Sequence, residues 1–306
     1  MRLLCAAFLS LALAPTLSAQ MKTIAERLGH PANAKLLIIH ADDLGAAHSV
    51  DAASLDALDK GAITSASIMM PTPWVTEVAA YAKAHPNHDL GLHFTITAEW
   101  ETYRWGSVAS KDAVPSLHDA DGTFPRDVQT VVNRAKPAEV ERELRAQIDR
   151  AIAMGIRPTH VDSHMGALFA TPELMATYMK LAREYKLPFL ASLGEQRDVF
   201  PAGLTDKDIL LNTVIIANPT IKVADWMSFY VDAIAKLKPG VSEMIVHLGY
   251  DDAELQAVMV GHVDYGSAWR QRDVEVVHSA VFKKALKDNN VILVTWRDMQ
   301  KLIAVQ

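Results

Sequence analysis

The sequence contains little cysteine and no clustered positive charge, and each shortage excludes a class of protein. Cys5 is the only cysteine among 306 residues, so the fold cannot depend on disulfides and must be stabilised by its core. Lys and Arg number 30 against 36 Asp and Glu, which gives a formal net charge of −6. Nucleic-acid binding needs clustered Lys and Arg, and no such run is present, so a nucleic-acid partner is not expected.

The first residues have the layout of a secretory signal peptide over residues 1–19. Arg2 precedes an apolar run over residues 3–14, and small residues follow up to Ala19. The run is too short to span a bilayer, and cleavage is expected after Ala19. A buried N-terminal helix is the alternative. The sequence thus predicts a mature chain of residues 20–306 in the periplasm or outside the cell, with no membrane span.

Beyond the leader, short β-rich runs alternate with runs of helical period. The clearest helix begins near Pro137 and ends at Gly155, with apolar residues every four positions between them. Two long irregular segments, 98–136 and 193–222, interrupt the alternation, and loops of this length are more often functional than filler. Strands are predicted at residues 36–41, 63–70, 89–96, 159–162, 188–192, 243–249 and 291–296.

This alternation of strands and helices predicts the architecture. Successive βαβ units place their strands in a mainly parallel sheet. Seven or eight such units favour an irregular (β/α) barrel, and an open, doubly wound sheet is the alternative. Half of the residues are hydrophobic, and no repeat, low-complexity tract or linker divides the chain. One domain over residues 20–306 is therefore predicted.

Polar residues interrupt the apolar pattern at the carboxyl ends of the predicted strands. In barrels and in open α/β sheets these ends form the active-site face, so the residues are expected to converge on one pocket. A single His or Asp at such a place is more often a structural residue or part of a turn, but here four strand ends agree. The residues are Asp42, Asp43, His93, His160, Asp162, His164 and His247.

The adjacent carboxylates of Asp42 and Asp43 indicate a metal site. Two like charges side by side repel each other, and a divalent cation would offset that repulsion. One Asp would bind the metal while the other stays free as a base. Two His and one carboxylate form a common catalytic metal shell, which zinc, magnesium or manganese could occupy. His160, Asp162 and His164 share one face of an extended segment, so some of them would orient the ligands rather than bind.

Four motifs resemble those of one family. The stretches "LLIIHADDLG", "AITSASIMM", "DLGLHFTIT" and "PTHVDSHMG", in this order and spacing, are similar to the YdjC-like family of carbohydrate deacetylases. The similarity runs from about Lys35 to the C-terminal "VILVTWRDM". It implies an irregular (β/α) barrel that removes N-acetyl groups from N-acetylglucosamine-type sugars and uses one divalent metal ion, zinc or magnesium.

The resemblance also implies a role for each matching residue. Asp43, His93 and His164 would bind the metal. Asp42 would be the general base, and His247 would be the general acid that protonates the leaving amine.

Two positions depart from the family pattern. His40 stands where the family usually has Asn, and Met165 and Gly166 stand where further histidines often follow. The proposed ligands are kept, whereas the contacts to the sugar are expected to differ.

An aromatic loop follows the third predicted strand. Its rings, Trp100, Tyr103 and Trp105, could stack on the faces of a carbohydrate substrate. The alternative is that they pin the long loop to the body of the protein.

Two residues late in the chain are weaker candidates. Tyr250 closely follows His247 and either lines the pocket or begins a helix. Arg272, like Arg270 two residues earlier, could steady the substrate or a catalytic carboxylate, although surface arginines are commoner.

Three other functions fit the same residues. The metal site would equally serve a hydrolase of another amide, an ester or a phosphoester, because ligands alone do not specify the bond that is cleaved. Two His and one carboxylate also suit a non-heme iron oxygenase. A secreted carbohydrate-binding protein without catalysis is the third alternative, and the oligomeric state is left open.

Overall fold

The computed structural model describes residues 22–192, 203–205 and 207–304. The predicted signal peptide over residues 1–19 lies outside these ranges, and so does Cys5. None of the helices that the structure describes is long and apolar enough to cross a lipid bilayer.

One sheet forms the centre of the described part of the chain. Its strands are β1 (Lys35–Leu44), β2 (Ser65–Ile68), β3 (Leu90–Phe94), β4 (Val161–Ser163), β5 (Thr213–Ile216), β6 (Gly240–Val246) and β7 (Val291–Leu293). The order across the sheet is β4-β3-β2-β1-β6-β5, and β7 pairs with the first residues of β1. Every pairing is parallel, as the βαβ alternation predicted.

Single bridges link the two outer strands of this sheet. Val161 of β4 pairs with Phe189, and Ser192 pairs with Leu211 just before β5. The sheet therefore curls, and the expected irregular (β/α) barrel is confirmed. The prediction of a strand at 188–192 was wrong, because the structure pairs this segment through two isolated bridges. Strand β5 lies in a segment predicted to be irregular.

Helices cover the outside of the sheet. The predicted helix after Pro137 is confirmed, and Val140, Leu144 and Ile148 are buried while Ile152 is exposed. The helices are α1 (Ile24–Arg27), α2 (His48–Asp59), α3 (Val75–Ala84), α4 (Val128–Arg134), α5 (Pro137–Ala153), α6 (Pro172–Glu184), α7 (Trp226–Ala235), α8 (Ala253–Val258), α9 (Ser267–His278), α10 (Ala280–Asp288) and α11 (Trp296–Ala304).

Strand β1 changes character along one of its faces. Leu36 and Ile38 pack with Trp296 in a small apolar cluster, and burial of each aliphatic side chain contributes roughly 1.5–3 kcal/mol. His40 and Asp42 continue the same face, because side chains of a strand alternate with a period of two. The face is thus apolar at the amino end of β1 and polar at its carboxyl end, where the candidate site lies.

Candidate active site

A cavity of about 590 Å³ opens at the carboxyl ends of the strands. This is the end of a parallel barrel at which active sites are found. The structure brings most of the predicted polar residues to this one cavity. Its lining includes Asp42, Asp43, His93, Asp162, His164 and His247, together with Glu99 and Arg270.

A bulge in β1 turns both carboxylates of the Asp pair toward the cavity. The register between β1 and β2 shifts between Ala41 and Leu44, and Asp43 has a positive φ of 73°. Neighbouring side chains of a regular strand point to opposite faces, so the left-handed residue is what lets Asp42 and Asp43 line one cavity. Such a conformation is costly for a residue other than glycine, and it is often found at functional sites.

Asp43, His93 and His164 form a cluster of potential metal ligands. Oδ1 of Asp43 lies 3.3 Å from Nε2 of His93 and 3.2 Å from Nδ1 of His164. This oxygen is buried and accepts no hydrogen bond. Zinc binds His nitrogen and carboxylate oxygen at roughly 2.0–2.2 Å, which places tetrahedral ligands about 3.3 Å apart. The donor set and its spacing therefore fit a zinc-like cation.

Each histidine of this cluster is oriented by a carboxylate on its other ring nitrogen. Nδ1 of His93 lies 2.6 Å from Asp162, and Nε2 of His164 lies 2.9 Å from Glu99. Such partners fix the ring and its tautomer in metal sites. Burial opposes ionisation of Asp162, but His93 and His40 hold its pKa below the usual range. Glu99, which the sequence analysis missed, likewise has its pKa lowered by His164 against burial.

Asp43 is held by a buried arginine from α9. Arg270 donates from Nη2 to Oδ2 of Asp43 at 2.6 Å and from Nε to the carbonyl oxygen of Tyr265 at 2.9 Å. Burial raises the pKa of Asp43, but Arg270, His164 and His93 outweigh it and hold that pKa well below the usual range. The carboxylate is therefore ionised and oriented with Oδ1 toward the two histidines.

Asp42 and His247 face each other at the edge of this cluster. Oδ2 of Asp42 lies 3.7 Å from Nε2 of His247 and 3.8 Å from Nε2 of His93. The backbone N–H of His247 donates to buried Asp273, which anchors the end of β6. Burial lowers the pKa of His247 to about 4, and Asp43 and Asp42 offset this only in part. His247 is therefore neutral near pH 7.

His160 does not reach the cavity. Its ring stacks on Trp296 at 5.3 Å between centroids and meets the edge of His40 at 5.0 Å. It occupies the space beside Gly91, where an added Cβ would lie 2.3 Å from the ring. Burial lowers the pKa of His160. His160 therefore packs inside the barrel, with a ring nitrogen within 4.8 Å of ligand atoms of His40 and Asp162, and its predicted place beside the metal ligands stays a prediction.

The aromatic loop is mainly a packing element. Trp100 lines the cavity but is 1% exposed, and Trp105 is buried with its indole N–H on the carbonyl oxygen of Thr97. Tyr103 packs beside both rings at 5.7 and 6.3 Å between centroids and is not part of the cavity lining that the structure describes. A stacking platform is therefore available from Trp100 at most.

Two late candidates lie away from the described cavity lining. Tyr250 donates its backbone N–H to the carbonyl oxygen of Ser49. The guanidinium of Arg272 lies over the ring of Trp226, 4.7 Å from its centroid. Residues two apart on a helix differ by about 200° in direction, so Arg270 faces the site and Arg272 does not. The structure thus does not bring Tyr250 or Arg272 to the described cavity lining, and a role for either at the substrate stays a prediction.

A separate group of potential ligands lies on the surface. Asp59, His85 and His88 place ligand atoms within 4.8 Å of one another at the ends of α2 and α3. Tyr81 already bonds to Asp59 at 2.7 Å and to His88 at 2.6 Å. This group is partly exposed and lies outside the described cavity lining. It is therefore the alternative zinc site against which the buried cluster can be tested.

The family of YdjC-like proteins matches residues 36–288, which span every strand except β7. The chain belongs to the YdjC-like family. The resemblance that the strand-end motifs predicted is confirmed. This YdjC-like chain is similar to a protein from Brevibacillus brevis that is named carbohydrate deacetylase. The two are 30% identical over 269 residues, which cover 86% of this chain and 99% of that protein.

A second relative and a solved structure agree with this family. A protein from Thermus thermophilus, also named carbohydrate deacetylase, is 32% identical over 242 residues, covering 76% of this chain and 84% of that protein. The crystal structure of a proposed cellobiose-phosphate cleavage protein from Enterococcus faecalis V583 superimposes with a TM-score of 0.71. It covers 87% of this chain and 99% of that one at 24% identity. The YdjC-like chain therefore shares its fold.

Proposed function

We propose that this YdjC-like protein is a metal-dependent deacetylase that hydrolyses N-acetyl groups of N-acetylglucosamine-type sugars or oligosaccharides. The observation that carries the proposal is the buried cluster of Asp43, His93 and His164 with the second carboxylate of Asp42 beside it. The names of the relatives from Brevibacillus brevis and Thermus thermophilus support the substrate class.

The ligand residues would hold one divalent cation. Two nitrogen donors and one carboxylate suit zinc better than magnesium, which prefers oxygen ligands. When bound, such a cation polarises a carbonyl oxygen as a Lewis acid and makes water more acidic. Asp162 and Glu99 keep the lone pairs of His93 and His164 directed at the shared position.

Asp42 is the proposed general base. Its Oδ2 faces the cavity, and no described side-chain nitrogen approaches this oxygen more closely than 3.7 Å. The oxygen is therefore free to take a proton from water as the water oxygen attacks the acetyl carbon. General bases typically contribute about 10² to 10⁴-fold to the rate.

His247 completes the proton path to the leaving amine. Because burial keeps His247 neutral near pH 7, it must gain a proton before it can act as an acid. Oδ2 of Asp42 lies 3.7 Å from Nε2 of His247, so the proton taken from water has a short route to this ring. Transfer from His247 to the sugar nitrogen accompanies cleavage of the C–N bond, and the products are acetate and the free amine.

We also propose that the protein acts outside the cytoplasm, on a carbohydrate of the periplasm or the surroundings. The support is the signal-peptide pattern over residues 1–19. Cleavage after Ala19 would be seen as a new N-terminus at Gln20 in protein recovered from the periplasm.

The test of the activity is acetate release from a panel of N-acetylated sugars and oligosaccharides. Mature protein is stripped of metal, reloaded with zinc or magnesium, and compared with Asp42→Asn. Zinc-dependent release that Asp42→Asn lowers by about 10² to 10⁴-fold, at unchanged zinc content, would support the proposal. Release by the stripped protein, or full activity of Asp42→Asn, would contradict it. An inactive protein with zinc bound would redirect the search to other amides, esters and phosphoesters.

A further inference from the structure

His40 lies beneath the floor of the cavity, inside the barrel. Its side chain is fully buried and is not among the residues that line the cavity. It follows the apolar half of β1 and points toward strands β2, β4 and β6. The side chains around its ring nitrogens are Ser65, Ser67, Asp42, Asp162 and Glu243.

One nitrogen of this ring contacts two carboxylates of the site. Nε2 of His40 lies 3.2 Å from Oδ1 of Asp42 and 3.0 Å from Oδ2 of Asp162. Both carboxylates use their remaining oxygen at the cavity: Asp162 holds Nδ1 of His93 at 2.6 Å, and Oδ2 of Asp42 faces His247. A carboxylate accepts but does not donate, so Nε2 must carry a hydrogen for these contacts to be favourable.

The surroundings of His40 favour the protonated ring. Burial alone would lower its pKa, but Asp162 and Asp42 outweigh burial and raise that pKa to about 10. On the opposite side Nδ1 lies 2.9 Å from the hydroxyl of Ser65 and 3.7 Å from Glu243. An imidazolium donates from both nitrogens, and hydrogen bonds that involve a charged group are stronger than neutral ones.

We propose that His40 is a positioning residue, whose Nε2 joins the base Asp42 to Asp162 and so fixes both relative to His93. The inference rests on the proposed function, because it requires Asp42 to act as the base. His40 does not touch the cavity, so its effect on the reaction passes through Asp42 and Asp162. The charge of His40, 3.2 Å from Oδ1 of Asp42, attracts that oxygen and so favours the rotamer that presents Oδ2 toward water and substrate, which is the part of catalysis that precise placement supplies.

The surroundings of position 40 suit a histidine better than an asparagine. An Asn at position 40 could donate from one amide group, but it carries no charge and is shorter than an imidazole. It could not reach Ser65 on one side and both carboxylates on the other from the same place. His40→Asn and His40→Gln are therefore informative replacements, because both keep a neutral donor in the interior.

The experiment compares kcat, KM and zinc affinity of the wild type, His40→Asn, His40→Gln and the control Ser65→Ala. Ser65→Ala removes a contact from the other ring nitrogen and leaves both carboxylate contacts intact. The His40 variants are expected to lose about 10 to 100-fold in kcat, the range seen when groups that orient ligands are removed. KM is expected to stay close to wild type, and kcat is compared at saturating zinc because Asp162 also orients the ligand His93. Ser65→Ala is expected to keep wild-type kcat.

A double variant separates positioning from a general loss of structure. If His40 acts in part through Asp42, then His40→Asn combined with Asp42→Asn should lose less kcat than the product of the two separate losses. Multiplying effects in the double variant would overturn the inference, as would wild-type kcat in His40→Asn. A wild type that is inactive on every N-acetylated sugar would overturn the proposed function and this inference together.

Should both His40 variants fail to fold, the role of His40 can also be tested by changing the two carboxylates that it contacts. Asp42→Asn and Asp162→Asn each change one carboxylate on Nε2 of His40. Their effects on kcat are then expected to be non-additive, because one donor serves both groups. Additive effects would overturn the inference.

Discussion

Arg270 donates a hydrogen bond of 2.6 Å to Oδ2 of Asp43, although 227 residues separate the two along the chain. Asp43 is the last residue but one of β1, and Arg270 lies on α9. Both side chains are buried, with 2% exposure each. The contact leaves Oδ1 as the only oxygen of Asp43 directed at His93 and His164, so the geometry of the ligand cluster depends on α9.

Replacing Arg270 by Lys should weaken metal binding. A lysine keeps the charge but cannot donate to both Asp43 and the carbonyl oxygen of Tyr265, so Asp43 gains rotational freedom. Zinc affinity is expected to fall by about 10 to 100-fold, as measured by competition with a chelator of known affinity. Arg272→Lys is the matched control, because that side chain lies over Trp226. Equal losses in both variants would show that the helix, and not the contact, matters.

Zinc is expected at the buried cluster and not at the surface group. His164→Ala should abolish stoichiometric zinc binding, because one of three ligands is removed. His88→Ala changes a histidine of the surface group and should leave the zinc content at one ion per chain. Elemental analysis of dialysed protein measures both. The opposite pattern would assign the metal to Asp59, His85 and His88.

The role of His247 predicts a dependence on the leaving group. An amine must be protonated to leave, whereas the phenolate of an aryl acetate leaves without help. His247→Gln should therefore lower kcat for an N-acetyl sugar by about 10² to 10⁴-fold and lower turnover of p-nitrophenyl acetate much less. Asp42→Asn, which acts on the attacking water, should impair both substrates alike. Equal sensitivity of the two substrates to His247→Gln would contradict an acid role.

Glu143 of α5 predicts a pH dependence of stability that is unrelated to the site. Its carboxylate accepts from the backbone N–H groups of Val108 and Ala109, and burial raises its pKa to about 7. A raised pKa means that the folded state holds the proton more tightly. The contribution to stability is therefore full below the ordinary value of 4.5 and is lost as the pH rises through about 7.

The measurement is the free energy of unfolding at pH 5 and at pH 8. The decline for the wild type should include at most about 3 kcal/mol from Glu143, and Glu143→Gln should remove that part of the slope. Glu141→Gln, a more exposed change on the same helix, is the control and should keep the wild-type slope. An unchanged slope in Glu143→Gln would show that another group is responsible.

The patterns that could be recognised in the sequence were local ones. Strand β1 follows from a continuous apolar run, helix α5 from an apolar pattern of helical period, and the cavity from polar residues at strand ends. Strand β5 was missed because it is short and only Ile215 among its residues is buried. The segment 188–192 was wrongly predicted to be a strand, because it pairs through single bridges.

The residues that orient the metal ligands and the base could not be predicted from local patterns. Glu99 lies in a loop and contacts His164 across 65 positions, and no periodicity marks such a residue. The choice between Arg270 and Arg272 depends on the rotation of α9 about its axis, which nearby residues do not specify. His40 was noticed only as a departure from a family pattern, and its contacts with β4 and β6 follow from tertiary structure alone.

The single bridges at Phe189 and Ser192 also have a consequence for local unfolding. Strands β1 and β6 share seven consecutive pairs, whereas each of these bridges is one isolated pair. Opening the wall there breaks few hydrogen bonds, so its amides should exchange with solvent far sooner than those of β1. Leu190, in the same segment, also lines the cavity. A weakly paired part of the described barrel wall thus borders the site, while the carboxylates lie on β1, which has seven consecutive pairs with β6.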